Sequence, residues 1–163
     1  MTGVEQSVVL EPHDGSLGPL LRVADDRLAA GESYGAHEHR AVDVVAVVVG
    51  GSLMHQWNEG RALRRGDVGV LRAGAGLTHD ERAGPEGARV LQCYLRPGDA
   101  GAAASYDVVP AAGGWVDLGR TDARLWIGTA GGDVPEGLVL VPEDSGTVVV
   151  WRLDTARPAW TKE

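Results

Sequence analysis

Apolar residues along this chain fall in short runs separated by clusters of glycine, proline and aspartate. Val42 to Val49 is nearly continuous valine and stops at Gly50-Gly51. Such a β-branched run bounded by a turn signal predicts a strand. Ser52 to Trp57 reads as its hairpin partner, and Asn58-Glu59-Gly60 as the next turn. Gly66-Asp67 opens a strand that runs through Leu71, and Ala88 to Leu95 forms another, closed by Pro97-Gly98-Asp99. Further strand-like runs are Tyr106 to Val109, Trp115 to Leu118, Arg124 to Thr129, Leu138 to Val141 and Thr147 to Leu153. No stretch carries strong helical periodicity, although Val23 to Ala30 has room for one helical turn. Many short strands at this spacing predict an all-β barrel or sandwich.

The small, flexible segment Pro97 to Ser105 is the best candidate for a linker. It divides the chain into residues 1–98 and a strand-rich segment, 105–163. The second segment contains no histidine, so it does not repeat any histidine cluster of the first.

Composition narrows the picture further. A chain of 163 residues suits one domain, or one domain with an appendage. The 24 glycines fit a turn-rich fold, and five tryptophans stand in for the absent phenylalanine as core volume. A formal net charge of -8 with no Lys/Arg run disfavours nucleic acid as a direct partner. Arg64-Arg65 reads as part of a turn. The single cysteine, Cys93, excludes an internal disulfide and, lying in an apolar strand, reads as a small core residue. The first ten residues show no signal-peptide pattern, and no apolar run reaches membrane-spanning length, so a cytoplasmic protein without membrane contact is expected.

The candidate chemistry sits in two short pieces. His37 and His39 are spaced i, i+2, as are His79 and Glu81. On a strand that spacing puts both side chains of a pair on one face. Two such strands facing each other across a barrel would aim three imidazoles and one carboxylate at one point. That set binds a divalent transition metal and leaves room for a substrate or dioxygen. Each residue also has a plainer reading: a satisfied core or surface histidine, or a solvated carboxylate at Glu81. Asp43 shares odd parity with His37 and His39, so a regular strand would turn it inward to orient a histidine rather than bind metal. His55 is read either as a cavity-lining proton carrier or as a residue of the outer sheet face. Trp57 is the tryptophan nearest to it, and His13 reads as a turn residue.

Gly31, His37, His39, Asp43 and Gly50 stand at the spacing of the first motif of the cupin superfamily, with Asp43 where that motif usually has glutamate. The stretch from Gly66-Asp67 through Ala73-Gly74-Ala75-Gly76 to His79-Asp80-Glu81 resembles the second motif of the pirin branch of cupins. Asp25 to Gly31 resembles the pirin lead-in, and His55 in Leu53-Met54-His55 matches a histidine pirins often carry. The resemblance spans residues 18 to 97. It implies a cupin (jelly-roll) β-barrel with additional C-terminal strands, 1–98 being the barrel. Residues 105–163 would be a remnant of a second cupin, or a cover in its place.

By the same resemblance, His37, His39, His79 and Glu81 bind one divalent metal, Fe(II) before Mn, Ni, Cu, Co or Zn. Two departures stand out: Glu38 where pirins usually have proline, and the shorter Asp43. The activity implied is oxidation of a small hydroxylated or enolic compound, with quercetin-like flavonols as archetype and dioxygen as co-substrate. Glu81, with His55 in reserve, would take the substrate proton. The alternatives are a metal-binding regulatory module of pirin type without turnover, and a metal-dependent isomerase, cyclase or lyase. A homodimer is a candidate assembly, because the C-terminal strands offer an edge.

Overall fold

The computed structural model describes residues 3–155. The remaining residues, 1–2 and 156–163, are the outer ends of the two predicted segments and lie outside the described residues. Twelve strands and no helix make up the described residues: β1 (Val4–Leu10), β2 (Leu20–Leu28), β3 (His37–His39), β4 (Asp43–Trp57), β5 (Glu59–Arg64), β6 (Val68–Arg72), β7 (Leu77–Leu95), β8 (Ser105–Val109), β9 (Gly114–Val116), β10 (Ala123–Thr129), β11 (Leu138–Leu140) and β12 (Thr147–Leu153). An eight-stranded sheet has the order β1-β2-β7-β4-β6-β8, with β3 added on β7 and β5 on β4. A four-stranded sheet has the order β11-β12-β10-β9. All pairings are antiparallel. The architecture is that of an all-β cupin.

Three local expectations are corrected. Val23 to Ala30 is not a helical turn, because β2 runs through most of it, paired to β1 and β7 on its two sides. Gly50-Gly51 is not a hairpin turn. Strand β4 continues through it, and irregularities in its pairing with β7 fall between Val48 and Gly50 and between Gly51 and Leu53. Both strands are long enough to hold each other across the bulge, so the chain bends rather than reverses. Finally, the strand expected from Ala88 begins at Leu77. The turn at Asn58 is a true hairpin, with Trp57 opposite Glu59.

The bulges matter because they change which side chains face which core. Before them, Val45, Val47 and Val49 pack with Leu91, Cys93 and Trp151 between the two sheets, while Ala46 and Val48 face the other way. Beyond the bulges, Leu53 joins Ala46 and Val48, so odd residues have changed sides. One extra residue in a strand of period 2 reverses its faces. Gly51 makes this possible: its φ is +65°, and a Cβ there would meet the Gly87 carbonyl oxygen at 2.1 Å.

The four-stranded sheet lies on the larger one through a shared core in which Trp151, Leu125 and Val149 meet Val23, Val47 and Leu95. Polar ties add to this packing. Arg89 grips Asp25 with two guanidinium nitrogens at 3.0 and 2.7 Å and donates a third hydrogen bond to the Glu143 carbonyl. Arg65 donates to the Ser145 carbonyl at 2.7 Å.

Candidate metal centre

Strands β3 and β7 are hydrogen-bonded neighbours, not strands facing across a barrel as the sequence suggested. His37 sits directly opposite His79 in register. The side chains of a cross-strand pair lie close together, and His39, two residues on from His37, completes the group. Ligand nitrogens of His37, His39 and His79 lie within 4.8 Å of one another. His79 is buried, and His37 and His39 are half-buried at the rim.

Two hydrogen bonds orient the imidazoles. His37 Nδ1 is 2.7 Å from the Gly35 carbonyl oxygen, so it donates there and leaves Nε2 as a free lone pair. His79 Nδ1 is 2.7 Å from His55 Nε2, and His79 Nε2 faces His37 Nε2 at 3.0 Å. His55 is 1% exposed and stacks on Tyr106 at 3.5 Å with rings only 6° apart. It braces His79 from behind. Tyr106 comes from β8, and its hydroxyl fits only because Gly69 has no side chain, since a Cβ there would lie 2.3 Å from it.

Burial pushes His79 down to about 3, with repulsion from its histidine neighbours adding to the effect. It likewise pushes His55 down to about 4 and lowers His39. Neutral imidazoles are the form a metal needs. Three of them, two held by a hydrogen bond to a second group, fit a divalent transition ion.

Glu81 and Asp43 are placed differently from the histidines. Glu81 faces the same interior as His79 but is not one of the clustered ligands. Its Oε1 accepts a hydrogen bond from Gln92 Nε2 at 3.0 Å, and burial pushes its carboxyl up to about 7. It lines a cavity of about 240 Å³ together with Gln6, Asp26, Tyr34, His37, Gln92 and Tyr94. Asp43 does not orient a histidine. Ala41 has φ +53°, which breaks the extended alternation after β3. Asp43 then points to the intersheet side and pairs with Arg120 at 2.9 Å. Among the other candidates, Trp57 packs half-buried beside Leu77, Cys93 is buried, and His13 lies exposed in a bend.

Four residues near the centre were missed. Gln92 had a readable signal, a polar residue inside the apolar run Val90 to Leu95. Asp26 is fully buried, and its Oδ2 accepts from Tyr34 Oη at 2.6 Å and Gln6 Nε2 at 3.2 Å. Tyr34 stands edge-on to His37. Tyr106 had no local signal, because only the β6–β8 pairing brings it to His55.

The chain is similar to a pirin-like protein of Caulobacter vibrioides, 32% identical over 103 residues, 61% of this chain and 44% of that protein. It is also similar to the quercetin 2,3-dioxygenase of Escherichia coli, 25% identical over 101 residues, 60% of this chain and 44% of that one. The chain thus spans less than half the length of these curated relatives. The crystal structure of the bacterial pirin YhhW of Escherichia coli in complex with nickel(II) superposes with TM-score 0.67 at 16% identity, over 93% of this chain and 87% of that one. The family model described as Pirin matches residues 10–95, and with the cupin fold and the histidine cluster already in view, the chain belongs to the pirin family.

Proposed function

We propose that this pirin binds one divalent transition metal through His37, His39 and His79 and oxidises a small hydroxylated or enolic compound with dioxygen. The observation that carries the reading is the clustering of three inward-turned imidazoles beside a cavity with a buried carboxyl in its wall. The names of its relatives support the oxygenase class. In this donor set a metal supplies Lewis-acid and one-electron chemistry. The protein's own part is to hold His37 through Gly35 and His79 through His55. Glu81, held by Gln92 and raised to about 7, is the group poised to take a hydroxyl proton from a substrate in the cavity. His55 lies behind His79 and does not line that cavity, so its role is to orient.

The test is elemental analysis of protein purified without added metal, alongside His79→Ala. One metal ion per chain is expected, falling at least tenfold in the variant. Unchanged stoichiometry would refute the ligand assignment. An oxygen electrode with quercetin as probe then separates the oxygenase from a regulatory module or an isomerase, both of which leave dioxygen untouched.

A further inference from the structure

His37, His39, His55 and His79 all precede Pro97, but the ring that stacks on His55 belongs to the segment after it. Tyr106 sits on β8, which joins the large sheet through its pairing with β6. Its ring lies parallel to that of His55, 6° apart with centroids at 3.5 Å. Aromatic pairs free to choose settle offset or edge-on, with centroids about 4.5–7 Å apart. The closer, parallel stack is therefore imposed by the packing around it. Tyr106 is held between two apolar clusters, one with Leu53 and Leu63 and the other with Val44 and Leu71. Its hydroxyl is buried without a hydrogen-bond partner among the described residues, so toward His55 the side chain acts as a flat apolar surface.

His55 needs such a surface. With His79 meeting the metal through Nε2, the nitrogen that faces His37, its Nδ1 carries the hydrogen and donates to His55 Nε2 at 2.7 Å. A neutral His55 then holds its own hydrogen on Nδ1. That atom is buried and has no partner among the described residues. An unmet buried donor is costly, so the ring gains by turning toward any acceptor within reach. Tyr106 blocks the turn, because rotating His55 about Cβ–Cγ would drive a ring edge into the phenol face. We infer that Tyr106 is a positioning residue for the metal centre: by holding the plane of His55 it keeps an acceptor on His79 Nδ1, and so fixes Nε2 as the atom that meets the metal. The segment after Pro97 thereby completes a site whose ligands all come before it. The inference rests on the ligand assignment proposed above.

The test is zinc affinity by chelator competition, with the cobalt(II) absorption spectrum as the report on coordination geometry. Tyr106→Leu should weaken zinc binding by about 10–100-fold, the effect of removing a group that orients a metal-bound histidine, and should shift the cobalt spectrum. Tyr106→Phe restores the ring without the hydroxyl, and should recover the affinity and the spectrum that Tyr106→Leu loses. Val108→Ala thins the same cluster two residues further along β8. It separates lost stability from lost positioning, and zinc affinity should hold. In a His55→Phe background Tyr106→Leu should cost nothing further, because it acts through His55. Wild-type affinity and spectrum in Tyr106→Leu, an equal loss in Tyr106→Phe or Val108→Ala, or full additivity with His55→Phe would overturn the inference. A wild type that binds neither zinc nor cobalt would overturn the ligand assignment and the inference with it. Zinc held equally by wild type and Tyr106→Leu leaves that assignment standing and removes only the role of Tyr106.

Discussion

Replacing Arg120 by methionine tests the most heavily buried ion pair that joins the two sheets. Arg120 and Asp43 side chains are 10% and 7% exposed, with Nη1 and Oδ2 at 2.9 Å. The same guanidinium holds Asp122 through two bonds at 2.6 and 2.9 Å. Arg120→Met leaves Asp43 as a buried carboxylate without its cation, while Asp122, 41% exposed, turns to water. Removing one partner of a buried pair costs about 3–5 kcal/mol, out of a total stability of about 5–15 kcal/mol. Burial raises the Asp43 carboxyl even with Arg120 beside it, so desolvation outweighs attraction at this site. Two consequences follow. The Arg120→Met deficit is largest near neutral pH and shrinks under acid, because a carboxyl raised in the folded state loses stability as pH climbs and regains it once protonated. The double variant Asp43→Leu/Arg120→Met also recovers most of the loss, because it buries no charge. Urea unfolding followed by tryptophan fluorescence at pH 7 and pH 4 measures both. A single-variant loss below about 1 kcal/mol, or a double variant as unstable as the single, would refute the reasoning.

Two further outcomes are expected. Gly51→Ala places a Cβ against the Gly87 carbonyl at a position of φ +65°. It should cost at least about 2 kcal/mol, seen as a fall of about 5 °C in Tm, and lower metal content, because the bulge aims His55 at His79; an unchanged Tm would argue against the bulge. Burial pushes the Cys93 thiol up to about 12 from 9.0, so its contribution to stability is whole below pH 9 and is lost as pH rises toward 12. At most about 4 kcal/mol is at stake. Cys93→Val should lack that part of the alkaline loss, and native protein should resist iodoacetamide at pH 8; rapid alkylation would contradict the burial.

The strands and the chemistry-bearing residues were legible because both are local patterns. A valine run, i, i+2 histidines and a Gly-Asp turn are read within a few residues. The parity argument for Asp43 failed, and the choice between the two readings of His55 stayed open, for one reason. Ala41 and the Gly50-Gly51 bulge each break the alternation of faces, which detached Asp43 from the histidines and turned His55 toward them. A bulge is set by what the partner strand allows, and β7 lies some thirty residues further along the chain.

Composition and spacing alone establish an all-β chain carrying three histidines with the chemistry of metal ligands. Tertiary structure alone decides that β3 lies beside β7, that Tyr106 backs His55, and that Gln92 donates a hydrogen bond to Glu81. The physical reason is range. A side chain's chemistry and its local period are written in its neighbours along the chain, whereas its hydrogen-bond partners are chosen by strand register, which no local segment contains.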